Sequence, residues 1–415
     1  VAMMKERIAV FAIFVLSGVL SGSWTPRLPS LAEQVRAGPG AIGLALLAMT
    51  LGMLIVAPLA GRLAERLGAR AMVVVSTVLS CGLLPFLGLA DSVLGLGWVL
   101  LGLGASVGAM EVSMSISGVA AERRAARPIM MFFHAGFSIG GLAGSALAGI
   151  AAAVGWSPVR HFTVVAVVVA IVLFAMIRGL SGTVAYAATR EMSREHLVSR
   201  GTLLRRPALW LLGTIGLLAA IAEGACADWS AMLLVVERGA REEKAALGYA
   251  VFSLAMVITR LSLLLVQRRL GAKWPLVAGS LMAGCGLVVA AAVPVTGLTF
   301  AGFAVAGIGL ASSFPLVQTL AGAMGRRHDG GGGEREIAFV STIAYAGFLA
   351  GPPMIGVLAQ LASLSLAFVV VGALTASAAF VVLGVDRARH REIAAGFLQD
   401  ESAGSQPAGT VIEQG

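Results

Sequence analysis

Residues 61–70 read GRLAERLGAR, a decapeptide carrying four charges between apolar runs of roughly 20 residues. A run of that length crosses a ~30 Å hydrocarbon core as one helix, so the decapeptide reads as a tight loop between two membrane spans. Its second part returns later in the chain: Glu65-Arg66-Leu67-Gly68-Ala69-Arg70 matches Arg268-Arg269-Leu270-Gly271-Ala272-Lys273 at an offset of 203 residues. A loop that recurs between comparable apolar runs half a chain apart predicts a duplicated helical bundle.

The rest of the chain follows that pattern. Hydrophobic residues make up 58% and charged residues 12% of the 415 positions, against ~25% charged in soluble domains. Twelve apolar runs fall at approximately 8–25, 41–60, 71–90, 95–119, 129–153, 161–179, 208–235, 246–267, 275–293, 297–322, 337–361 and 365–384. None alternates as a barrel strand must, so the spans are helices. Lys5 and Arg7 before the first run resemble the start of a signal peptide, but eleven further runs make it the first span.

Charge placement gives orientation. With both termini cytoplasmic, the inner loops hold 23 of the 30 basic residues, the asymmetry expected of cytoplasmic loops. Arg27, Arg36, Arg160, Arg238, Arg241 and Lys244 lie outside, and Arg260 lies within a span. The net charge of +9 thus reflects topology and attraction to anionic lipid, and gives no support to nucleic-acid binding.

Two further echoes accompany the loop. Trp24-Thr25 matches Trp229-Ser230 at an offset of 205, and the Gly140, Gly144, Gly149 pattern in span 5 matches Gly347, Gly351, Gly356 in span 11 at 207. The expected fold is an all-α membrane protein of twelve transmembrane helices in two pseudo-symmetric six-helix halves. The halves would be residues 1–180 and 207–385, joined by an Arg-rich linker at 181–206 and followed by a polar tail at 386–415 that is loose after its first turns. Halves related by an axis along the membrane normal place a site at the midplane between them and permit alternating access. Gly136, Gly140 and Gly144 leave a smooth face for close helix approach.

The loop in its position between spans 2 and 3 resembles the signature of the major facilitator superfamily, with Glu65 where that family usually has aspartate. The resemblance extends over the chain through span count, central linker and repeat. It implies that spans 1, 4, 7 and 10 line the cavity, and that Gly61, Glu65, Arg66, Gly68 and Arg70 form an inner-gate clasp, with Arg260, Arg268, Arg269 and Gly271 as the counterpart in the second half. A finer similarity rests on Ala109-Met110-Glu111-Val112-Ser113 and on the stretch from Phe133 to Gly141. These look like the fucose permease branch of sugar:proton symporters, whose essential span-4 glutamate would map to Glu111. Thr25 stands where that branch carries a span-1 aspartate, and span 5 lacks the Gly-Pro of drug:proton antiporters.

The chemistry of the spans points to their acids. A charge at the centre of a membrane helix costs roughly 2.5–3.5 kcal/mol, so an acid there faces a polar cavity or a partner. A carboxyl in such surroundings holds a proton more readily and can release it when access changes. Glu111 lies near the middle of span 4. Glu223 stands about 24 Å into span 7, with Asp228 ~7 Å farther out. Five residues on a regular helix turn the second acid about 140° from the first, so the two share a cavity only if the helix is irregular. Otherwise Glu223 faces the cavity and Asp228 faces an outer-gate partner, for which Arg27 is the candidate. Trp24 and Trp229 are candidates for stacking against a solute or for anchoring at the interface, and His134 for a proton relay.

Cys81, Cys226 and Cys285 stand singly and read as small apolar residues. Gly330–Gly333 lacks a preceding strand and a following Gly-Lys-Ser/Thr, so it is a flexible loop and not a phosphate cradle. No cofactor or metal site is expected, nor an enzyme's nucleophile and base. The sequence therefore predicts a monomeric secondary transporter in the cell inner membrane that moves a small organic solute, a sugar or related polar metabolite, by proton symport. Proton-driven export of drugs or metabolites and a non-transporting membrane sensor are the alternatives.

Overall fold

A computed structural model describes residues 2–125, 129–180, 203–324 and 333–394. Twelve apolar helical spans cross in succession: α1 (Met3–Gln34), α2 (Pro39–Ala64), α3 (Ala69–Leu87), α4 (Val93–Glu122), α5 (Phe132–Ala153), α6 (Pro158–Gly179), α7 (Pro207–Glu237), α8 (Glu242–Ser262), α9 (Lys273–Ala292), α10 (Thr296–Met324), α11 (Glu336–Leu361) and α12 (Leu364–Glu392). No strand occurs among the described residues. An even number of crossings returns the chain to the face on which it began, here called the terminal face; α2, α4, α8 and α10 start or end opposite to it accordingly.

The helix packing repeats. Within the first six, α1 packs on α5, α2 on α4, α3 on α4, and α3 on α6; within the last six, α7 packs on α11, α8 on α10, α9 on α10, and α9 on α12. Gly140 shows why the glycine pattern matters, because a Cβ there would lie 2.0 Å from the Val15 carbonyl of α1. Its counterpart Gly347 would meet the Leu217 carbonyl of α7 at 2.4 Å. The loop glycines correspond as well: Gly68 and Gly271 take φ of 86° and 66°, a region that side chains with a Cβ avoid.

Two boundaries differ from the sequence reading. The first span does not end near residue 25; it passes through a tight turn at Thr25–Arg27 and continues as helix over Leu28–Gln34. Pro26 and Pro29 each fall in the first turn of a helical segment, where a missing N–H costs nothing, so the chain bends and keeps its course. At the other end, the helix of α12 runs on to Ala394, past the apolar run that ends at 384 and through the first turns of the tail. Glu392 holds it there: its carboxylate accepts from Arg206 Nε at 3.1 Å and from the Ala208 amide at 2.7 Å. Arg206 also pairs with Glu336 at 2.8 Å and donates to the Met324 carbonyl at 3.0 Å, tying the terminal ends of α7, α10, α11 and α12 together. Most of the expected linker (181–202), much of the Gly-rich loop (325–332) and the tail from 395 lie outside the described residues.

Candidate functional site

Helices of the first six meet the last six mainly through α5 against α8 and α2 against α11, and the bent end of α1 also touches α7 and α8. The polar contacts of this seam sit toward the face opposite the termini. Ser145 donates to the Ala246 carbonyl at 2.7 Å, and the Gly40 amide donates to Gln360 Oε1 at 3.4 Å. Pro352 lacks the N–H that would bond the Phe348 carbonyl four residues earlier, and Thr50 Oγ1 from α2 approaches that carbonyl at 3.5 Å. Arg27 of α1 reaches Glu242 of α8 at 3.2 Å, while Ser30 donates to the same carboxylate at 2.5 Å and Arg27 Nη2 to the Trp156 carbonyl at 2.8 Å.

On the terminal face the ion pairs stay within each set of six. Arg124 pairs with Glu6, Glu122 accepts from the Ile129 and Met130 amides, Arg206 binds Glu336 and Glu392, and Lys273 pairs with Asp386. The polar contacts that join the two sets thus gather toward the opposite face.

Side chains deeper in the seam form the candidate site. Glu111 of α4 is exposed and lies within electrostatic reach of Tyr345 on α11, which is 53% exposed. His134 of α5 is exposed, stands edge-on to Phe14 at 5.3 Å, and lies within reach of Arg260 on α8. Arg260 approaches Glu223 of α7 at 4.0 Å and the Ala311 carbonyl at 3.5 Å. Of the sequence candidates, Glu223, His134 and Arg260 thus lie within reach of one another across the seam, and Glu111 lies within reach of Tyr345 across it.

Span 7 is irregular where its acids sit. After the α-helix ends at Gly224, Ala225–Trp229 forms a π-turn, and a second follows at Leu233–Glu237. A π-turn bonds residues five apart, which brings the Asp228 side back toward that of Glu223. Both acids lie within electrostatic reach of Tyr249 on α8. Asp228 is accordingly not the partner of Arg27: the continued course of α1 carries Arg27 to Glu242 instead. Trp24 and Trp229 are corrected too. They are 3% and 0% exposed, so neither anchors at the lipid boundary nor offers a free face to a solute.

The loop signature is on the terminal face. Gly61 has open space at its Cβ position, Arg66 is exposed and Arg70 half-buried. The side chains of Glu65, Arg268 and Arg269 lie outside the described set, so a clasp through them is not described. Sequence reasoning missed Tyr249, Tyr345, Phe314, Phe348 and Glu242. Two of only three tyrosines stand within apolar spans, and that rarity was the available signal. On the opposite face, a separate cleft of about 750 Å³ is lined by Glu33, Arg36, Arg241 and Glu242 among others.

Comparison with known proteins agrees with this architecture. The profile of the Major Facilitator Superfamily matches residues 9–331 and 229–407. The chain is 30% identical over 366 residues to an uncharacterized MFS-type transporter of Yersinia pestis, covering 88% of this chain and 91% of that protein. It is 33% identical over 368 residues to an uncharacterized transporter, y4wD, of Sinorhizobium fredii, covering 88% and 93%. Among solved structures, the nucleoside transporter NupG (D323A mutant) superposes with a TM-score of 0.77 at 12% identity, covering 92% of this chain and 99% of NupG. A bacterial homolog of the lysosomal transporter Spinster, inward-facing and unoccupied, superposes at 0.74 with 14% identity, covering 94% and 98%. Twelve spans, a repeated packing scheme and the profile match lead to one conclusion: the chain is a multi-pass membrane transporter that belongs to the Major Facilitator Superfamily.

Proposed function

We propose that the protein is a secondary active transporter of a small organic solute, driven by protons, in which Glu111 carries the coupling proton. Residues 1–180 and 207–385 act as two rocking halves about the cavity, with 181–206 as their linker. The bias of basic residues supports cytoplasmic termini in a bacterial-type inner membrane, and on this reading the contacts between the halves gather on the outer side. The observation that carries the reading is Glu111 itself: a carboxylate in the interior of α4, exposed, within reach of Tyr345 of the other set of helices, with no ion-pair partner among the described residues. A lone acid in that setting changes charge at least cost by taking up or releasing a proton as access alternates. Glu223 is the second candidate, held in check by Arg260.

The fucose permease resemblance does not extend to a substrate. The relatives and structures above give no support to that branch, and likenesses at 12–14% identity speak for the fold alone. The solute is therefore assigned from the cavity below and not from the branch. The coupling is tested with Glu111→Gln in proteoliposomes under an imposed pH gradient. Accumulation against a solute gradient is expected to fall to the unenergised level while passive exchange persists; unchanged, gradient-dependent accumulation overturns the assignment.

A further inference from the structure

The cavity has a chemical character that the transport reading leaves unused. One wall carries three rings in a continuous row: Phe314 of α10 lies 6.4 Å from Tyr345 and 6.1 Å from Phe348, both of α11, with the planes of the second pair 14° apart. Phe348 abuts Gly224, where a Cβ would lie 3.6 Å from its ring, and Gly224 directly follows Glu223. At the other end Tyr345 lies within electrostatic reach of Glu111. The row of rings thus runs from beside Glu111 to the backbone of α7 at Gly224.

The charges around it do not balance. Arg260 approaches Glu223 within ion-pair distance and answers neither Glu111 nor Asp228. Ionised Glu111 has no cation of the protein beside it among the described residues. A neutral polyol would leave that charge unanswered, and an anion would be repelled by it. A cation on a flat apolar body answers both features, since a ring face attracts positive charge and apolar area alike.

We infer that the solute is an organic cation, an amine or quaternary nitrogen carried on a ring-bearing body, whose charge pairs with Glu111 while its body lies along Tyr345, Phe314 and Phe348. This rests on the transport reading of the same cavity and narrows its substrate class.

The test is binding to the purified full chain in lipid nanodiscs, by calorimetry, with three fixed-charge aromatic cations: benzyltrimethylammonium, 1-methyl-4-phenylpyridinium and tetraphenylphosphonium. Uridine serves as a neutral ring and benzoate as an anion. At least one cation is expected to bind about tenfold or more tightly than either counter-probe. Glu111→Gln is expected to weaken it by about tenfold or more, and Phe314→Leu, which keeps every charge, by about fivefold. Glu111→Asp and Phe314→Leu keep the test decisive if Glu111→Gln elutes as aggregate. The inference is overturned if no cation exceeds the counter-probes, or if binding is unchanged in Phe314→Leu and in the soluble Glu111 variants. The two proposals fail separately. Glu111-dependent transport of a neutral or anionic solute removes the cation and keeps the transporter; Glu111-dependent cation binding with no passage across vesicles of any solute does the reverse.

Discussion

Arg27 is 3% exposed, and its charge is answered by Glu242 from the other set of helices. Removing one partner of such a buried pair leaves an uncompensated charge and costs about 3–5 kcal/mol. Because the pair joins the two sets of helices at the opposite face, Glu242→Gln is expected to favour opening of that face. Cys226, fully buried at the start of the irregular turn in α7, reports it. Its labelling by a membrane-impermeant maleimide applied from that face should accelerate in Glu242→Gln, and an unchanged rate would count against the pair as a latch. The sequence made Arg27 legible as a gate residue but not its partner. Asp228 was the natural choice while span 1 was taken to end at Thr25; the passage through Pro26 moves Arg27 onward to Glu242. Glu111 was readable for a simpler reason, because one acid inside a long apolar run needs no tertiary knowledge to stand out.

Among elements, the α1/α5 contact depends most on a single atom's absence. Gly140→Ala would drive a methyl into the Val15 carbonyl, and overpacking of this kind costs ~1–3 kcal/mol. The thermal unfolding midpoint in detergent should drop, while Gly82→Ala in α3, which has nothing within 4 Å of its Cβ position, should be neutral or slightly stabilising. Equal effects at the two positions would show that close approach is not what Gly140 provides. The recurrence of this glycine pattern at Gly347 could be read from the sequence because spacing survives duplication. The π-turns of α7 could not. A turn one residue wider leaves no compositional mark, and only the separation of Glu223 and Asp228 hinted that a regular helix would set them on different sides. The row formed by Tyr345, Phe314 and Phe348 was equally hidden, since it joins two helices whose rotation only packing determines.

For the whole molecule, the distribution of contacts predicts the direction of motion. Spin labels at Phe132 and Leu261, both exposed toward the terminal ends of α5 and α8, should move closer when a cation or proton drives the change of state. Labels at Leu44 and Leu361, near the opposite ends of α2 and α11, should separate at the same time. Double electron–electron resonance in a background lacking Cys81, Cys226 and Cys285 reads both pairs, and parallel changes of one sign would exclude a rocking motion. Twelve spans, their order and their twofold packing were legible because span length and loop charge follow directly from the bilayer. Which face gathers the contacts between the two sets was not legible, because both states use the same sequence and differ by contacts of a few residues.

The crowding of cross-contacts at one end also gives the molecule mechanical advantage. α2 and α11 each extend over 26 residues, about 39 Å of helix. Held near one end, such an arm converts a tilt of ~10° into a displacement of ~7 Å at the other. A slackening too small to resolve around Arg27 and Glu242 is thereby amplified at the cavity mouth. The terminal face is the sensitive place to measure any change made at the opposite one.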